Sequence, residues 1–246
     1  MVEDVFLWHL DFPEERNWLE AEYMALLINL AEKKLKTKYK KILDIPCGVG
    51  RYHRYLRNHG FEVYGVDINE NLIKIAKDQN KDFEKYYKVQ DMRSINYKEE
   101  FDIVINWYTS FGYFSHEENL VILKKFYEAL KPKGLLILDV PARVFTSINS
   151  IKDCGEYLNI ERWEKIDYRT MHLRFDLYKK EGNILKYVKS LDLNLMIYPP
   201  NELKEMLEES GFEVLFVFKG RSISDVKNRL YDIYDGRLVW ICWKSL

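Results

Sequence analysis

A chain of 246 residues, 47% apolar and 31% charged, is long enough for one elaborated globular domain and short for two full ones. Its 38 basic and 39 acidic side chains leave a formal net charge of −1, without the basic excess of a protein that grips long phosphate backbones. Cys47, Cys154 and Cys242 are scattered without Cys-x-x-Cys spacing, which argues against a disulfide or zinc framework and reads as reduced thiols in a cytoplasmic protein.

The opening MVEDVFLWHLDFPEE carries acids early and lacks a basic stretch before a long apolar run, so it is not expected to be a signal peptide. No window approaches the roughly 18 uncharged residues of a membrane span. Asn17 to Lys36 places Trp18, Ala21, Leu26 and Leu30 near helical spacing and predicts an amphipathic helix. Ile42 to Ile45 is short and apolar, as a buried parallel strand requires. A turn containing Gly48 and Gly50 follows, then a helix from Gly50 to Asn58 closed by Gly60. Phe61 to Asp67 is a second strand, Asn69 to Lys77 a helix begun by a capping-type asparagine, and Tyr86 to Gln90 a third strand ending before Asp91.

Phe101 to Trp107 is a fourth strand. Glu117 to Leu130 is a helix that Lys131-Pro132-Lys133-Gly134 should stop, and Leu135 to Val140 is a fifth strand broken by Pro141. Alternating strands and helices at this spacing predict an α/β fold with a doubly wound, mostly parallel sheet. From about Ser150 to Pro199 the pattern changes to roughly three alternating runs. Arg169 to Tyr178 and Ile184 to Leu195, joined at Lys180-Glu181-Gly182-Asn183, predict an antiparallel hairpin. Asn201 to Ser210 returns to helix, and Phe212 to Lys219 and Leu238 to Trp243 are the last strands. The expected organisation is one domain: a helical segment 1–40, a core 41–149, a β-rich insertion 150–199 and a closing segment 200–246.

The stretch KILDIPCGVGR, with Asp67 at the end of the second strand, carries the chemistry. Glycine lets backbone approach a ligand closely because it lacks a Cβ. A dinucleotide fingerprint asks for a third glycine where this chain has His53. Asp44, ahead of the turn, would repel a pyrophosphate and attract a cationic amino group. Asp67 lies 67 − 44 = 23 positions further on, close to the spacing expected of a ribose-binding acid. The charge balance favours S-adenosylmethionine over NAD.

These segments resemble the class I S-adenosylmethionine-dependent methyltransferases, from Lys41 to Trp243. ILDIPCGVGR is similar to the family's first motif, with Pro46 in place of its first glycine, as in a small-molecule-type branch with a Pro-Cys-Gly core. VQDMRSINY resembles the adenine-contacting segment, FDIVINWYTSFGYFSHEENL the strand-four segment, and LKPKGLLILDV the passage into strand five. GFEVLFVFKG and RLVWICWK are similar to the final hairpin, whose last strand inserts antiparallel beside strand five. A short helix over Ser224 to Asp235 would suit a parallel last strand instead.

The resemblance implies a seven-stranded Rossmann-like sheet, S-adenosylmethionine as cofactor and S-adenosylhomocysteine as product. It puts Asp44, Cys47, Gly48 and Gly50 at the methionine moiety, Asp67 and Ile68 at the ribose, Asp91 and Met92 at the adenine, and Asn106 and Trp107 at the floor near the methyl group. Methyl transfer is an in-line displacement in which positioning does much of the work, and a base is required only where the acceptor keeps its proton. Tyr108, Phe111, Tyr113, Phe114 and His116 crowd the segment after strand four, either as packing or as faces for a cation. His116 is the candidate base, with Tyr108 beside it. Tyr113, Arg143, His172 and Tyr198 are candidate acceptor contacts, although each of them also has an ordinary structural reading.

The aromatic residues of the insertion suit a closed pocket for a small or flat acceptor, a homodimer interface, or both. The five histidines lack metal-ligand spacing, so no metal is expected. Methylation of a small-molecule nitrogen or oxygen is favoured. RNA or protein methylation, and a silent S-adenosylmethionine-binding protein, remain as alternatives.

Overall fold

The computed structural model describes residues 13–144, 147–220 and 236–245. The first helix, α1 (Glu14–Leu35), buries Ala21, Met24, Leu27, Ile28 and Ala31 in one stripe. Trp18, expected on that stripe, is instead exposed. The chain then alternates β1 (Lys41–Asp44), α2 (His53–Asn58), β2 (Glu62–Asp67), α3 (Glu70–Gln79), β3 (Tyr87–Val89), β4 (Phe101–Asn106), α4 (His116–Ala129) and β5 (Leu130–Pro141). Asn69 caps α3 by accepting from the backbone of Asn71 and Leu72. Ser115 and Glu118 form a capping box at α4.

Four antiparallel strands follow: β6 (Ser147–Cys154), β7 (Tyr157–Lys165), β8 (Thr170–Glu181) and β9 (Ile184–Met196). The β8–β9 turn falls on Gly182-Asn183, the site the alternation marks. Then come α5 (Pro200–Glu209), β10 (Phe212–Lys219) and β11 (Arg237–Lys244). A helix over Ser224 to Asp235 lies outside the described residues.

Two sheets result. The main one has the order β10-β11-β5-β4-β1-β2-β3, parallel except where β11 runs antiparallel between β5 and β10. Val239 opposite Asp139 and Ile241 opposite Ile137 fix that direction and exclude the parallel alternative. The second sheet, β6-β7-β8-β9, is the insertion after β5, one strand larger than the alternation suggested.

Alternation along the central strands feeds two cores. Ile103, Ile105, Leu135 and Ile137 pack toward α1 and α2, whereas Val104, Leu136 and Leu138 pack toward α4 and α5. Chain order reverses between β1 and β4, which leaves a crevice at their C-terminal ends, where open α/β sheets place their ligands.

The inserted sheet is locked to that crevice at one tight point. Met196 N–H donates to the Gly112 carbonyl at 2.8 Å, and a Cβ on Gly112 (φ +109°) would meet the Met196 oxygen at 2.1 Å. Gly112→Ala combines overpacking with a left-handed backbone, each costing about 1–3 kcal/mol, so destabilisation of roughly 2–6 kcal/mol is expected in urea unfolding. Gly155→Ala is the control: its φ is +67° with nothing within 4 Å of the added carbon, so only the backbone cost applies. Equal losses in the two variants would show that the Gly112–Met196 approach does not matter.

Candidate functional site

Beyond β1 the chain turns through Gly48 (φ +55°) and Gly50 (φ +64°), where a side chain is strained whatever the space. A Cβ on Gly50 would also lie 2.9 Å from the Tyr87 hydroxyl and 3.0 Å from His53 Nδ1. His53, the residue in the third-glycine position, is fully buried and belongs to a polar chain under this turn. Its Nε2 lies 2.8 Å from Asp44 Oδ2 and its Nδ1 2.9 Å from the Tyr87 hydroxyl. Burial lowers the His53 pKa against the pull of Asp44, so the ring is neutral at pH 7. Assigning its proton to Nε2 lets it donate to Asp44 and accept from Tyr87.

The Tyr52 hydroxyl also donates to Asp44 Oδ2, at 2.7 Å, while Asp44 Oδ1 is buried without a hydrogen-bond donor. Asn106, at the end of the adjacent β4, donates Nδ2 to the Ile45 carbonyl at 2.8 Å, and its Oδ1 is likewise buried without a donor. Two orphaned acceptors thus end neighbouring central strands. A buried acceptor left unsatisfied costs about 1–3 kcal/mol, and a ligand ammonium removes that cost with its own N–H groups. The residues present therefore fit the amino-acid end of the expected cofactor.

Asp67, at the end of β2, accepts Gly48 N–H on Oδ2 at 2.8 Å and Asn69 N–H on Oδ1 at 2.9 Å. It fixes the glycine turn before it meets any ligand. Ile68 beside it is 60% exposed. Asp91 takes a forked ion pair from Arg93, which with the Arg93 backbone N–H holds its carboxyl below the usual range, and Met92 is buried in the core. Burial, with Asp67 and Asp44 nearby, pushes the Cys47 thiol well up, so it stays protonated and is no nucleophile.

A cavity of about 180 Å³ opens beside the turn. One wall comes from Pro46 to Val49, Arg51 and Tyr52, a second from Trp107 to Ser110 and Tyr113, and the third from the inserted sheet. Arg237, at the start of β11, closes one corner. Burial, reinforced by Asp67, pushes the Tyr113 phenol up to about 12, so it is a neutral donor at physiological pH.

Trp107 donates its indole N–H to the buried Glu20 at 2.9 Å, and Glu20 also pairs with Arg51. Tyr108 and Thr109 both adopt left-handed backbones (φ +62° and +66°). They are held by Asp139, whose Oδ2 accepts Tyr108 N–H at 2.9 Å and whose carbonyl accepts Thr109 N–H at 3.2 Å. Asp139 in turn pairs with Arg237 at 2.8 Å. Glu20, Arg51, Asp139 and Arg237 are central to the site, yet the sequence around them marks only the first helix, the first motif and the strands.

The other expectations divide. The Tyr108 ring is ringed by the guanidinium groups of Arg16, Arg51 and Arg237 at 5.5–5.8 Å, so its faces already meet cations from the protein. Phe111 is core, and Phe114 lies under Arg93. His116 does not line the cavity: its ring packs 5.8 Å from that of Tyr198, and Ser115, one residue earlier, supplies the helix cap. Tyr198 is buried on that same side, hydrogen-bonded to Asn119. Arg143 is exposed and outside the cavity wall.

His172 stands on β8 between Met171 and Leu173, which face inward, and so it points to the other side of the sheet, where it meets Asp192 and Asn194. Strand alternation separates it from the cavity that Leu173 and Phe175 line. Tyr113 alone of the four acceptor candidates lines the cavity.

Residues 42–134 match the family described as "Methyltransferase domain". The chain is 30% identical over 142 residues to a provisionally named methyltransferase, YqeM, of Bacillus subtilis (strain 168), a match spanning 56% of this chain and 52% of that protein. Another provisionally named methyltransferase, from Geobacillus sp. (strain WCH70), is 29% identical over 86% of this chain and 92% of its own length. Among solved structures, an amino pentose methyltransferase from Micromonospora echinaspora, solved with S-adenosylmethionine bound and involved in calicheamicin biosynthesis, superposes with a TM-score of 0.70. That likeness covers 93% of this chain and 92% of the other at 16% identity, and speaks to the fold.

Proposed function

We propose that this chain, which belongs to the class I S-adenosylmethionine-dependent methyltransferases, transfers a methyl group to a nitrogen or oxygen of a small molecule bound against its inserted sheet. The observation that carries the reading is the cavity of about 180 Å³ between the glycine turn and that sheet, a concave space beside the expected methyl donor with apolar walls and a few polar groups. The formal net charge of −1 and the amino pentose substrate in the name of the M. echinaspora neighbour support the same class.

S-adenosylmethionine is the cofactor, and when bound it supplies an electrophilic methyl on a cationic sulfur. Asp44 Oδ1 and Asn106 Oδ1 would take its ammonium, with Cys47, Gly48 and Gly50 giving backbone access to the methionine moiety. Asp67 and Ile68 would meet the ribose, and Asp91 with Met92 the adenine. Trp107 and Tyr113 wall the reaction space against water. Holding the two reactants in line would supply much of the catalysis.

Incubation of the enzyme and labelled donor with metabolites, RNA and protein in separate fractions tests the reading. Label in the metabolite fraction is expected. Label confined to RNA or protein would replace the acceptor class, and label nowhere would favour a silent cofactor-binding protein. No helix among the described residues is long and apolar enough to cross a membrane. The cytoplasmic assignment rests instead on the three free thiols.

A homodimer through the inserted sheet belongs to the same reading, supported by exposed Ile151, Ile184, Leu185 and Tyr187 on it. Sedimentation at micromolar concentration should show twice the chain mass. A monomer there would leave this face to solvent.

A further inference from the structure

The inward face of the inserted sheet carries polar side chains among apolar ones. The inner positions of β8 are Met171, Leu173, Phe175 and Leu177, an apolar row. The inner positions of the neighbouring β7 are Tyr157, Asn159, Glu161 and Trp163, with Glu161 opposite Phe175 and Trp163 opposite Leu173. Asn159 is fully buried and Glu161 is 4% exposed. A buried carboxylate among apolar neighbours is costly unless it is paired or used. Glu161 and Trp163 both line the cavity beside the glycine turn.

The pairing of Glu161 differs from that of the other charges in this cavity. Arg51 pairs with buried Glu20, and Arg237 with fully buried Asp139. Both partners are enclosed, so neither cation can be surrendered to a ligand. Glu161 accepts from Ser150 Oγ at 3.1 Å through Oε2, while its Oε1 stands 3.0 Å from Lys152 Nζ without an aligned hydrogen bond. The Lys152 side chain is 33% exposed against 6% for Glu161. In this pair the anion is fixed and the cation has solvent to move into. The exchangeable member is therefore the positive one. Two residues along the same strand, Trp163 Nε1 is buried without an acceptor.

We propose that Glu161 and Trp163 form the acceptor subsite, taking a small molecule that carries an amino group against the Glu161 carboxylate and a hydrogen-bond-accepting oxygen against the Trp163 indole N–H. The inference rests on the small-molecule methyltransferase reading and narrows its substrate class. The acceptor's ammonium replaces Lys152 at a charge-assisted hydrogen bond, and its oxygen satisfies an N–H that the protein leaves unpaired. Neutral and anionic acceptors lack the cation that this exchange requires.

The test uses the full chain, S-adenosylmethionine bearing a trideuterated methyl group, and a small-metabolite extract of the source cells. Mass spectrometry identifies products by the labelled methyl, and a cation exchanger sorts them. Wild-type protein should label products that the exchanger retains. Glu161→Gln should lower that labelling at least tenfold at limiting extract, with partial recovery in Glu161→Asp and S-adenosylhomocysteine affinity by calorimetry within twofold of wild type. Labelled products that are neutral or anionic, or unchanged labelling by Glu161→Gln, would overturn the subsite. A tenfold loss of S-adenosylhomocysteine affinity in Glu161→Gln would assign the carboxylate to the cofactor and overturn it equally. No labelled metabolite with wild-type protein would remove the small-molecule reading itself, and this subsite with it.

Discussion

Asp139→Ala is expected to lower stability by about 3–5 kcal/mol, because it leaves the Arg237 guanidinium in the interior without its carboxylate. Asp139 is fully buried and its Oδ1 takes Arg237 Nε at 2.8 Å. For a domain of this size the loss corresponds to a fall of roughly 6–20 °C in Tm, readable by calorimetry. The consequence for the site is separate. Tyr108 and Thr109 sit consecutively in left-handed conformations, a state that costs about 1–3 kcal/mol each for a residue with a Cβ. The Asp139 carboxylate holds the first of them through Tyr108 N–H, and Arg237 reaches Thr109 Oγ1. Without the carboxylate these residues relax toward ordinary backbone, and the cavity wall from Trp107 to Ser110 moves with them. Methyl transfer in Asp139→Ala should therefore fall even at temperatures where the protein is fully folded. Asp139→Asn keeps an acceptor for Tyr108 N–H but not the charge, so it should lose stability while retaining more activity than Asp139→Ala. Equal activity in the two variants would mean that Tyr108 is held by something other than this hydrogen bond.

The parts of this fold that sequence reveals are those set by local pattern. Val104 and Leu136 alternate with Ile103 and Ile137 because each strand feeds two cores, and that alternation is visible along the chain. Phe212–Lys219 could be bounded to the residue because Gly211 and Gly220 flank an unbroken β-type run. The Lys131-Pro132-Lys133-Gly134 stop ends α4 as expected, yet the strand begins at Leu130, since Leu130 pairs with Phe101 before a register shift. Strand β6, SINSIKDC, is mixed enough in polarity to be missed, and its pairing with β7 supplies what its own pattern lacks.

The site divides along the same line. Gly48, Gly50 and Asp67 announce themselves because turn chemistry is local. The Arg237–Asp139 contact spans 98 positions and the Trp107–Glu20 contact 87, so neither leaves a spacing to read. His172 and Glu161 show the limit most plainly. Both are polar residues in alternating strands, and only the register of β7 against β8 decides that Glu161 faces the cavity and His172 faces away.

His53 is legible in a restricted sense: its presence argues against a dinucleotide fingerprint, but its bond to Asp44 appears only when the helix is folded over the strand. That bond separates two roles of Asp44, and substitution can resolve them. Oδ2 is structural, accepting from Tyr52 and His53, while Oδ1 is the orphan offered to a ligand ammonium. Asp44→Asn can keep its carbonyl oxygen toward Tyr52 and His53 and so should unfold within about 1 kcal/mol of wild type, the scale of one exchanged hydrogen bond. Its amide nitrogen then takes the place of Oδ1 and presents a donor to a donor. A hydrogen bond to a charged group contributes about 1.5–3 kcal/mol, so S-adenosylhomocysteine affinity should fall roughly 10- to 150-fold by calorimetry. Asp44→Ala should lose the same affinity and, in addition, about 1–3 kcal/mol of stability for each donor left unsatisfied on Tyr52 and His53. Asp67→Asn provides the comparison at the ribose side, where loss of affinity combines any ligand contact with release of one of the two backbone donors, Gly48 N–H or Asn69 N–H, that the carboxylate holds. An Asp44→Asn protein that binds S-adenosylhomocysteine as tightly as wild type would show that the ammonium lies elsewhere. The orphaned oxygens of Asp44 and Asn106 would then need another partner.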